Sequence, residues 1–149
     1  MYFCDYLESK AKNDGVNKLV VGAVITNENG EILLMKRKKD DFMGGIFEIP
    51  GGNAENGEGI YDILKREIKE ETNLNLTKVI SYINYFDYLS RSGKKCRQFN
   101  FKVKVTGGPI LLTEHDTYKW VKLDEIEAQD VSNEIKECLM IYRFNESNR

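Results

Sequence analysis

The sequence predicts an α/β protein in which a mixed sheet lies between helices. Runs of β-branched and apolar residues, typical of strands, recur along the chain at residues 18–26, 31–37, 78–89 and 97–106. Helical periodicity is found in residues 59–72 and again in a closing segment that Ser132 caps. Strands interrupted by helices at two separate places favour a sheet with helices packed against it over an all-α or all-β domain.

Length, charge and cysteine usage exclude several functional classes. The 149 residues are enough for one domain with a sizeable core, and a formal net charge of −2 provides no basic surface for nucleic acid. No apolar run reaches the roughly 20 residues that cross a membrane, and residues 1–18 lack the apolar core of a signal peptide. Cys4, Cys96 and Cys138 show no C-x-x-C spacing, which predicts reduced thiols in a cytoplasmic protein. We therefore expect no nucleic-acid or membrane partner.

The first part of the chain is predicted to hold an extension and a β-hairpin. Residues 1–17 form the N-terminal extension, in which aromatic residues are expected to pack a short helix or strand, followed by a loop from residue 10. Residues 18–26 and 31–37 predict two paired strands, because the turn between them ends in Asn29-Gly30.

Glycine-rich and acidic segments separate the remaining elements. A short strand at residues 46–50 leads into Pro50-Gly51-Gly52-Asn53, which we expect to form only a loop. Beyond the first helix and the two long strands, a loop at residues 111–116 precedes a strand at residues 118–123. The closing helix is expected to direct four residues inward, namely Ile135, Cys138, Leu139 and Tyr142.

The helix at residues 59–72 carries acidic side chains on the same face as its apolar ones. At about 100° per residue, Glu67 and Glu71 fall about 20° either side of Ile60, and Glu70 lies at the edge of that sector. Each pair of carboxylates about 5 Å apart repels by roughly 3 kcal/mol at an effective dielectric of about 20. Either the pKa values of these groups rise or a cation lies among them, and oxygen ligands of this kind suit Mg²⁺ or Mn²⁺.

The segment from Gly52 to Leu74 resembles the Nudix box of the MutT-like hydrolases. That box reads Gly, five residues, Glu, seven residues, then Arg-Glu-aliphatic-any-Glu-Glu-any-Gly-aliphatic. Its positions are met here by Gly52, Glu58, Arg66, Glu67, Ile68, Glu70, Glu71 and Leu74. Asn73 stands where the family usually has glycine, and asparagine also tolerates the left-handed conformation of a helix end. The Ile-Pro-Gly-Gly lead-in and the stretch from Glu114 to Trp120 extend the resemblance over nearly the whole chain after about residue 18.

The resemblance implies that residues 1–149 form a single Nudix domain with the α/β/α sandwich fold of the family. It implies a hydrolase that uses Mg²⁺, or Mn²⁺, to split a nucleoside diphosphate linked to another group X. Ordinary and oxidised nucleoside triphosphates are among the substrates it implies. The substrate would be a small-molecule nucleotide, and because family members are often dimers, a homodimer is expected.

The same resemblance assigns roles to the residues of the box. The implied metal ligands are Glu67, Glu70 and Glu71. Family members differ in the carboxylate that activates the water, so Glu71 and Glu114 both stay open as the general base. Arg66 is included with the catalytic residues, and its pairing with Glu58 is expected to hold the box loop in a fixed geometry.

Residues outside the helix are predicted to bind the substrate phosphates. Arg37 ends a strand beside two lysines, and arginine suits bidentate contacts to phosphate. Gly51 and Gly52 can present backbone N–H groups to phosphate near the helix start. Two further residues are secondary candidates for other roles: Glu48 for lining the site or pairing with a cation, and the single histidine, His115, for catalysis. A lone histidine more often lies at the surface or has a structural role.

Several alternatives stay open at this stage. A regulatory Nudix-like domain would bind a nucleotide without cleaving it, but its box would be degraded, whereas here only Asn73 departs from the pattern. ADP-ribose pyrophosphatases often carry a proline shortly after the box, and none occurs between residues 51 and 108. Tyr85 or Tyr88 keeps dinucleoside polyphosphates as an alternative substrate, although core packing is favoured for the aromatic residues of this strand.

Overall fold

The computed structural model describes residues 2–41 and 43–149. In chain order, the elements are α1 (Tyr2–Asn13), β1 (Lys18–Ile25), β2 (Ile32–Arg37), β3 (Phe47–Glu48), β4 (Gly51–Asn53), α2 (Ile60–Thr72), β5 (Asn75–Leu89), β6 (Lys95–Thr106), β7 (His115–Val121), a 3₁₀ helix (Leu123–Ala128) and α3 (Asn133–Ser147). None of the helices in these two ranges is long and apolar enough to cross a membrane.

Helices cover both faces of the strands, which confirms the predicted α/β/α sandwich. Leu7 of α1 and Ile63 of α2 belong to one buried cluster together with Phe99 of β6. Leu139 of α3 belongs to a second cluster that includes Val24 of β1. Because successive side chains of a strand point to opposite faces, β1 and β2 contribute residues to both clusters.

The strands form two sheets. The first has the order β4-β1-β6-β5, and it is mixed because β1 runs parallel to β6 but antiparallel to β4. The second has the order β3-β2-β7 and is antiparallel. The predicted hairpin between β1 and β2 is wrong, since within the described residues the two strands are not paired and the turn is closed by the isolated bridge Thr26↔Ile32. Both edges of β1 are already occupied by β4 and β6, so β2 leaves the turn and pairs in the other sheet.

The glycine turn before α2 is also more regular than expected. Gly51–Asn53 forms a short strand, with Gly51 opposite Gly22 and Gly52 opposite Val21 of β1. A Cβ atom on Gly51 would collide with the carbonyl oxygen of Val21, so only glycine allows this close approach. The glycines that suggested a loop therefore allow this segment to pair with β1 as an edge strand of the sheet.

Two predicted loops are partly ordered. The expected loop from residue 10 is wrong as far as Asn13, because α1 continues and buries Ala11 in the core. The predicted loop at residues 111–116 ends earlier than expected, because β7 begins at His115, where it pairs with Arg37 of β2. In both places tertiary contacts extend a helix or strand beyond the residues for which the local sequence pattern predicts it.

The ends of the helices follow the sequence prediction. Asn73 closes α2 in the left-handed conformation with φ of 70°, and its N–H donates to the carbonyl of Lys69. Ser132 caps α3 by accepting a hydrogen bond from the N–H of Ile135. The four residues of α3 predicted to face inward are all buried, namely Ile135, Cys138, Leu139 and Tyr142.

Candidate active site

A cavity of about 500 Å³ opens beside the C-terminal part of α2 and is lined by strands of both sheets. One part of its wall is acidic and contains Glu48, Glu71, Glu114 and His115. Gly51, Gly52 and Arg37, the three residues predicted to bind phosphate, also line it. The structure therefore brings the predicted phosphate-binding residues and both candidates for the general base to one cavity.

Glu71 is the most buried acid at this site. Its side chain is 6% exposed, and its Oε1 accepts a 2.7 Å hydrogen bond from the N–H of Gly51. Burial raises the pKa of Glu71 to about 9, against the lowering effect of the Gly51 hydrogen bond. The negative charges of Glu67, Glu48 and Glu114 raise it further. A carboxylate placed here among other carboxylates needs either a proton or a cation.

Glu70 is much more exposed than Glu67 and Glu71, as its position at the edge of the buried sector of the helical wheel predicts. The exposed side-chain fractions are 6% for Glu71, 13% for Glu67 and 55% for Glu70. Burial raises the pKa of Glu67, although a hydrogen bond from Arg66 acts in the opposite direction. A Cβ atom at Gly52 would overlap the Glu67 carboxylate, so a larger residue there would displace that carboxylate from its position.

Arg66 fastens the box loop to the helix. Its Nε and one terminal nitrogen bind the two Glu58 oxygens at 2.9 and 2.7 Å, and the same nitrogen donates to the Asn53 carbonyl at 2.8 Å. Its other terminal nitrogen contacts Glu67 at 2.9 Å and Glu70 at 3.2 Å. The hydrogen bonds from Arg66 lower the pKa of Glu58 to about 2. Arg66 is not among the described residues that line the cavity, and its contacts are to the box loop and to Glu67 and Glu70.

A second network, which the sequence analysis did not identify, joins three strands at the cavity wall. Glu48 of β3 accepts from Arg37 of β2 at 2.9 Å and lies 2.6 Å from Nε2 of His115 on β7. Burial raises the pKa of Glu48, but the hydrogen bonds from His115 and Arg37 outweigh it and lower that pKa overall. A shift in register between Lys36 and Arg37 sets Arg37 opposite His115. No spacing in the sequence signals this pairing, because it depends on strands from distant segments.

The rest of the cavity wall is largely apolar and aromatic. Phe86 and Tyr88 of β5 line it together with Phe47 and Ile135. Core packing was the favoured role for the aromatic residues of this strand; Phe86 does pack against the second core cluster, and both residues also border the cavity. Gln98 of β6 also lines the cavity, and its amide nitrogen donates to the buried Asn100 at 2.8 Å. These residues form a surface on which a planar group such as a nucleobase can pack.

The donor atoms at the acidic wall are suited to a divalent cation. Glu48, Glu71 and His115 each offer one ligand atom, and these atoms lie within 4.8 Å of one another. Glu67 and Glu70 lie about one turn apart on α2, and Glu67 is close enough to Glu71 to raise the pKa of Glu71. Carboxylate oxygens are the preferred ligands of Mg²⁺ and Mn²⁺.

Comparison with known proteins gives a consistent result. The model of the NUDIX domain family matches residues 16–140. An 8-oxo-dGTP diphosphatase from Buchnera aphidicola subsp. Acyrthosiphon pisum is 31% identical over 123 residues, which cover 75% of this chain and 98% of that protein. An ADP-ribose pyrophosphatase from Methanocaldococcus jannaschii is 43% identical over 68 residues, 46% of this chain and 38% of that protein. The crystal structure of a MutT protein from Methanosarcina mazei Go1 aligns with a TM-score of 0.74 at 25% identity, covering 89% of this chain and 95% of that one.

Proposed function

The chain belongs to the NUDIX family and is a nucleotide pyrophosphohydrolase, and from this premise we propose that a divalent cation held at Glu71 supports its reaction. The observation that carries the proposal is the position of Glu71. This buried carboxyl group faces a cavity with three further acids nearby, and it has one oxygen fixed by Gly51. An arrangement that strongly opposes the ionised form of a carboxyl group is suited to hold a cation.

We propose Mg²⁺ as the cation, with Mn²⁺ as an alternative, and Glu67, Glu70 and Glu71 as its protein ligands. The carboxylate oxygens of these residues suit hard cations, and Mg²⁺ keeps several positions for water and substrate phosphates. When bound, the cation supplies charge neutralisation on the pyrophosphate and lowers the pKa of a bound water. Arg66 contacts Glu67 and Glu70, and the N–H of Gly51 holds Glu71.

The roles of the remaining residues follow from their contacts. Glu71 is our first choice to accept the proton of the attacking water, and Glu114, an exposed residue that lines the cavity, is the second. Attack at phosphorus then breaks a phosphoanhydride bond and releases a nucleotide and the phosphorylated group X. Arg37 keeps guanidinium donors beyond the one that binds Glu48, and these suit phosphate oxygens. The N–H of Gly51 is engaged by Glu71, so Gly51 acts by orienting that carboxyl group.

We further propose a nucleoside triphosphate, ordinary or oxidised, as the substrate. The relative named 8-oxo-dGTP diphosphatase supports this choice because the alignment covers 98% of its length. The relative named ADP-ribose pyrophosphatase gives less support to ADP-ribose as the substrate, since the alignment covers only 38% of that protein. The aromatic part of the cavity wall, with Phe86 and Tyr88, offers a surface for the base. A cytoplasmic location is also proposed, because Cys96 and Cys138 form no disulfide within the described residues.

A substrate panel tests the proposed function. The chain, stripped of metal and then supplied with Mg²⁺ or Mn²⁺, is incubated with dGTP, 8-oxo-dGTP, ADP-ribose and a dinucleoside polyphosphate, and the products are separated by chromatography. We expect hydrolysis of a nucleoside triphosphate that stops when the cation is chelated. Preferential hydrolysis of ADP-ribose would show that a nucleoside triphosphate is the wrong substrate. A lack of turnover with all four compounds would favour a regulatory domain that binds nucleotides without cleaving them.

A further inference from the structure

The side chain of His115 places an imidazole ring, with its two nitrogen atoms, in the acidic wall of the cavity. The side chain of His115 is 3% exposed, and its Nε2 lies 2.6 Å from an oxygen of Glu48. An ionised carboxylate can only accept a hydrogen bond, so Nε2 donates its proton to Glu48. In a neutral imidazole the other nitrogen, Nδ1, then has a lone pair and no proton.

This Nδ1 atom is buried and has no hydrogen-bond partner within the described residues. It lies 4.0 Å from Oε2 of Glu71, which is too long for a hydrogen bond. The other oxygen of Glu71 is occupied by the N–H of Gly51, so Oε2 is the oxygen left for a ligand. A buried nitrogen and a buried carboxylate oxygen therefore lie 4.0 Å apart without a hydrogen bond between them.

We propose that Nδ1 of His115 is a ligand of the divalent cation held by Glu71, with Glu48 fixing the imidazole ring. The inference rests on the proposed function only in that it needs a cation at Glu71. Histidine ligands commonly donate their second ring nitrogen to a carboxylate, which sets the tautomer and increases the basicity of the ligating nitrogen. Glu48 and His115 form such a pair.

A nitrogen ligand changes which cation the site prefers. Mg²⁺ takes oxygen ligands almost without exception, whereas transition-metal cations also accept imidazole. Glu67, Glu70 and Glu71 on their own offer only oxygen ligands. With His115 added, the site is expected to bind Mn²⁺ and other transition-metal cations more tightly than Mg²⁺.

Pulsed electron paramagnetic resonance on the Mn²⁺-loaded wild-type chain tests this directly. His115 is the only histidine in the sequence, so an untagged chain labelled with ¹⁵N-histidine reports on this residue alone. We expect a nitrogen coupling typical of a directly bound imidazole, which changes when ¹⁴N is replaced by ¹⁵N in histidine. Bound Mn²⁺ without any histidine coupling would overturn the proposal and leave His115 with a structural role.

The variant His115→Gln provides a second measurement that separates ligation from structure. Calorimetric titration is expected to show about a tenfold loss of Mn²⁺ affinity, with Mg²⁺ affinity nearly unchanged, because only Mn²⁺ uses the nitrogen. Equal losses for both cations, or no loss for either, would contradict the proposal. The two proposals fail separately. A chain that hydrolyses nucleotides but shows no coupling between Mn²⁺ and the histidine nitrogen overturns only this inference. A chain that shows this coupling but hydrolyses no nucleotide overturns only the proposed function.

Discussion

At the scale of single residues, the central feature is a carboxyl group that the fold places where a charge is unfavourable. Glu71 is buried, and Glu67, Glu48 and Glu114 all add to the cost of ionising it. In the absence of a cation the folded chain keeps a proton on Glu71 to a pH of about 9, whereas the unfolded chain releases it near the ordinary pKa of 4.5. The folded state thus binds more protons between these values, and its stability falls as the pH rises through that window.

The variant Glu71→Gln tests this electrostatic account, since glutamine keeps the shape and removes the titration. For the metal-free wild type we expect Glu71 to lower the free energy of unfolding by about 3 kcal/mol between pH 5.5 and 7.5. Urea unfolding in the presence of a chelator should show a clearly smaller pH dependence for the variant. The solvent-facing change Asp62→Asn on the same helix is the control. An unchanged pH dependence in Glu71→Gln would refute the account.

Arg66 acts through a planar fork, so a charge-conserving change should not preserve its role. In Arg66→Lys we expect kcat/KM to fall about tenfold and the melting temperature to fall by a few degrees, because lysine cannot make the paired contacts to Glu58. Adding Glu58→Gln to this variant should cause little further loss, since both changes remove one interaction. Lys65→Arg, at the exposed neighbour, is the control. Fully additive losses would show that the two residues act independently.

The acids of the box were predicted from the sequence, but the network formed by Arg37, Glu48 and His115 was not. The spacing of Glu67, Glu70 and Glu71 within one helix fixes their relative positions, so a helical wheel predicts that Glu70 is the most exposed of them. Glu48 and His115 lie on strands from separate parts of the chain, and they meet because β3 and β7 pair with opposite edges of β2. Such contacts depend on how strands pair, which local patterns do not encode.

At the scale of elements, the short strand β4 matters because it allows the box loop to lie against α2. Gly52 leaves room for the Glu67 carboxylate, and Gly51 holds Glu71. The sequence predicted a loop here because glycine and proline usually mark loops. Pairing with β1 prevailed, since two glycines permit close contact between backbones.

Replacing two glycines should separate the requirements of the site from those of the fold. In Gly52→Ala the new methyl group displaces Glu67, and we expect kcat/KM to fall about a hundredfold with a smaller effect on the melting temperature. In Gly30→Ala, a residue with φ of 75° in a remote turn, we expect a loss of about 1 kcal/mol in stability and normal activity. Kinetics and thermal unfolding of both variants test this contrast. Normal activity in Gly52→Ala would show that Glu67 does not need its observed position.

The N-terminal helix α1 is predicted to be part of the domain and not an appendage. Leu7 is 6% exposed within the core cluster that also holds residues of α2. We expect Leu7→Ala to lower the free energy of unfolding by about 2–4 kcal/mol, measured by urea unfolding, with kcat unchanged at 25 °C. The exposed neighbour Ser9→Ala serves as the control. A loss below about 0.5 kcal/mol would mean that α1 is not packed against α2 in solution.

At the scale of the whole molecule, the site depends on the division of the strands into two sheets. The mixed sheet supplies β4 and the aromatic wall of β5, while the antiparallel sheet supplies Glu48 and His115. The alternation of apolar residues and the box predicted the sandwich correctly. They did not reveal the two sheets, because β1 and β2 are joined by a turn that usually closes a hairpin. The cavity lies where strands from both sheets meet α2.

The most direct test of the account compares wild type and Glu71→Gln in steady-state hydrolysis of the best nucleotide substrate at saturating Mg²⁺. We expect kcat to fall at least about a hundredfold in the variant, while circular dichroism and the melting temperature show an intact fold. The control Asp62→Asn should keep the wild-type rate. A Glu71→Gln variant that hydrolyses the substrate at the wild-type rate, with the same dependence on Mg²⁺, would contradict the assignment of Glu71 to the catalytic cation.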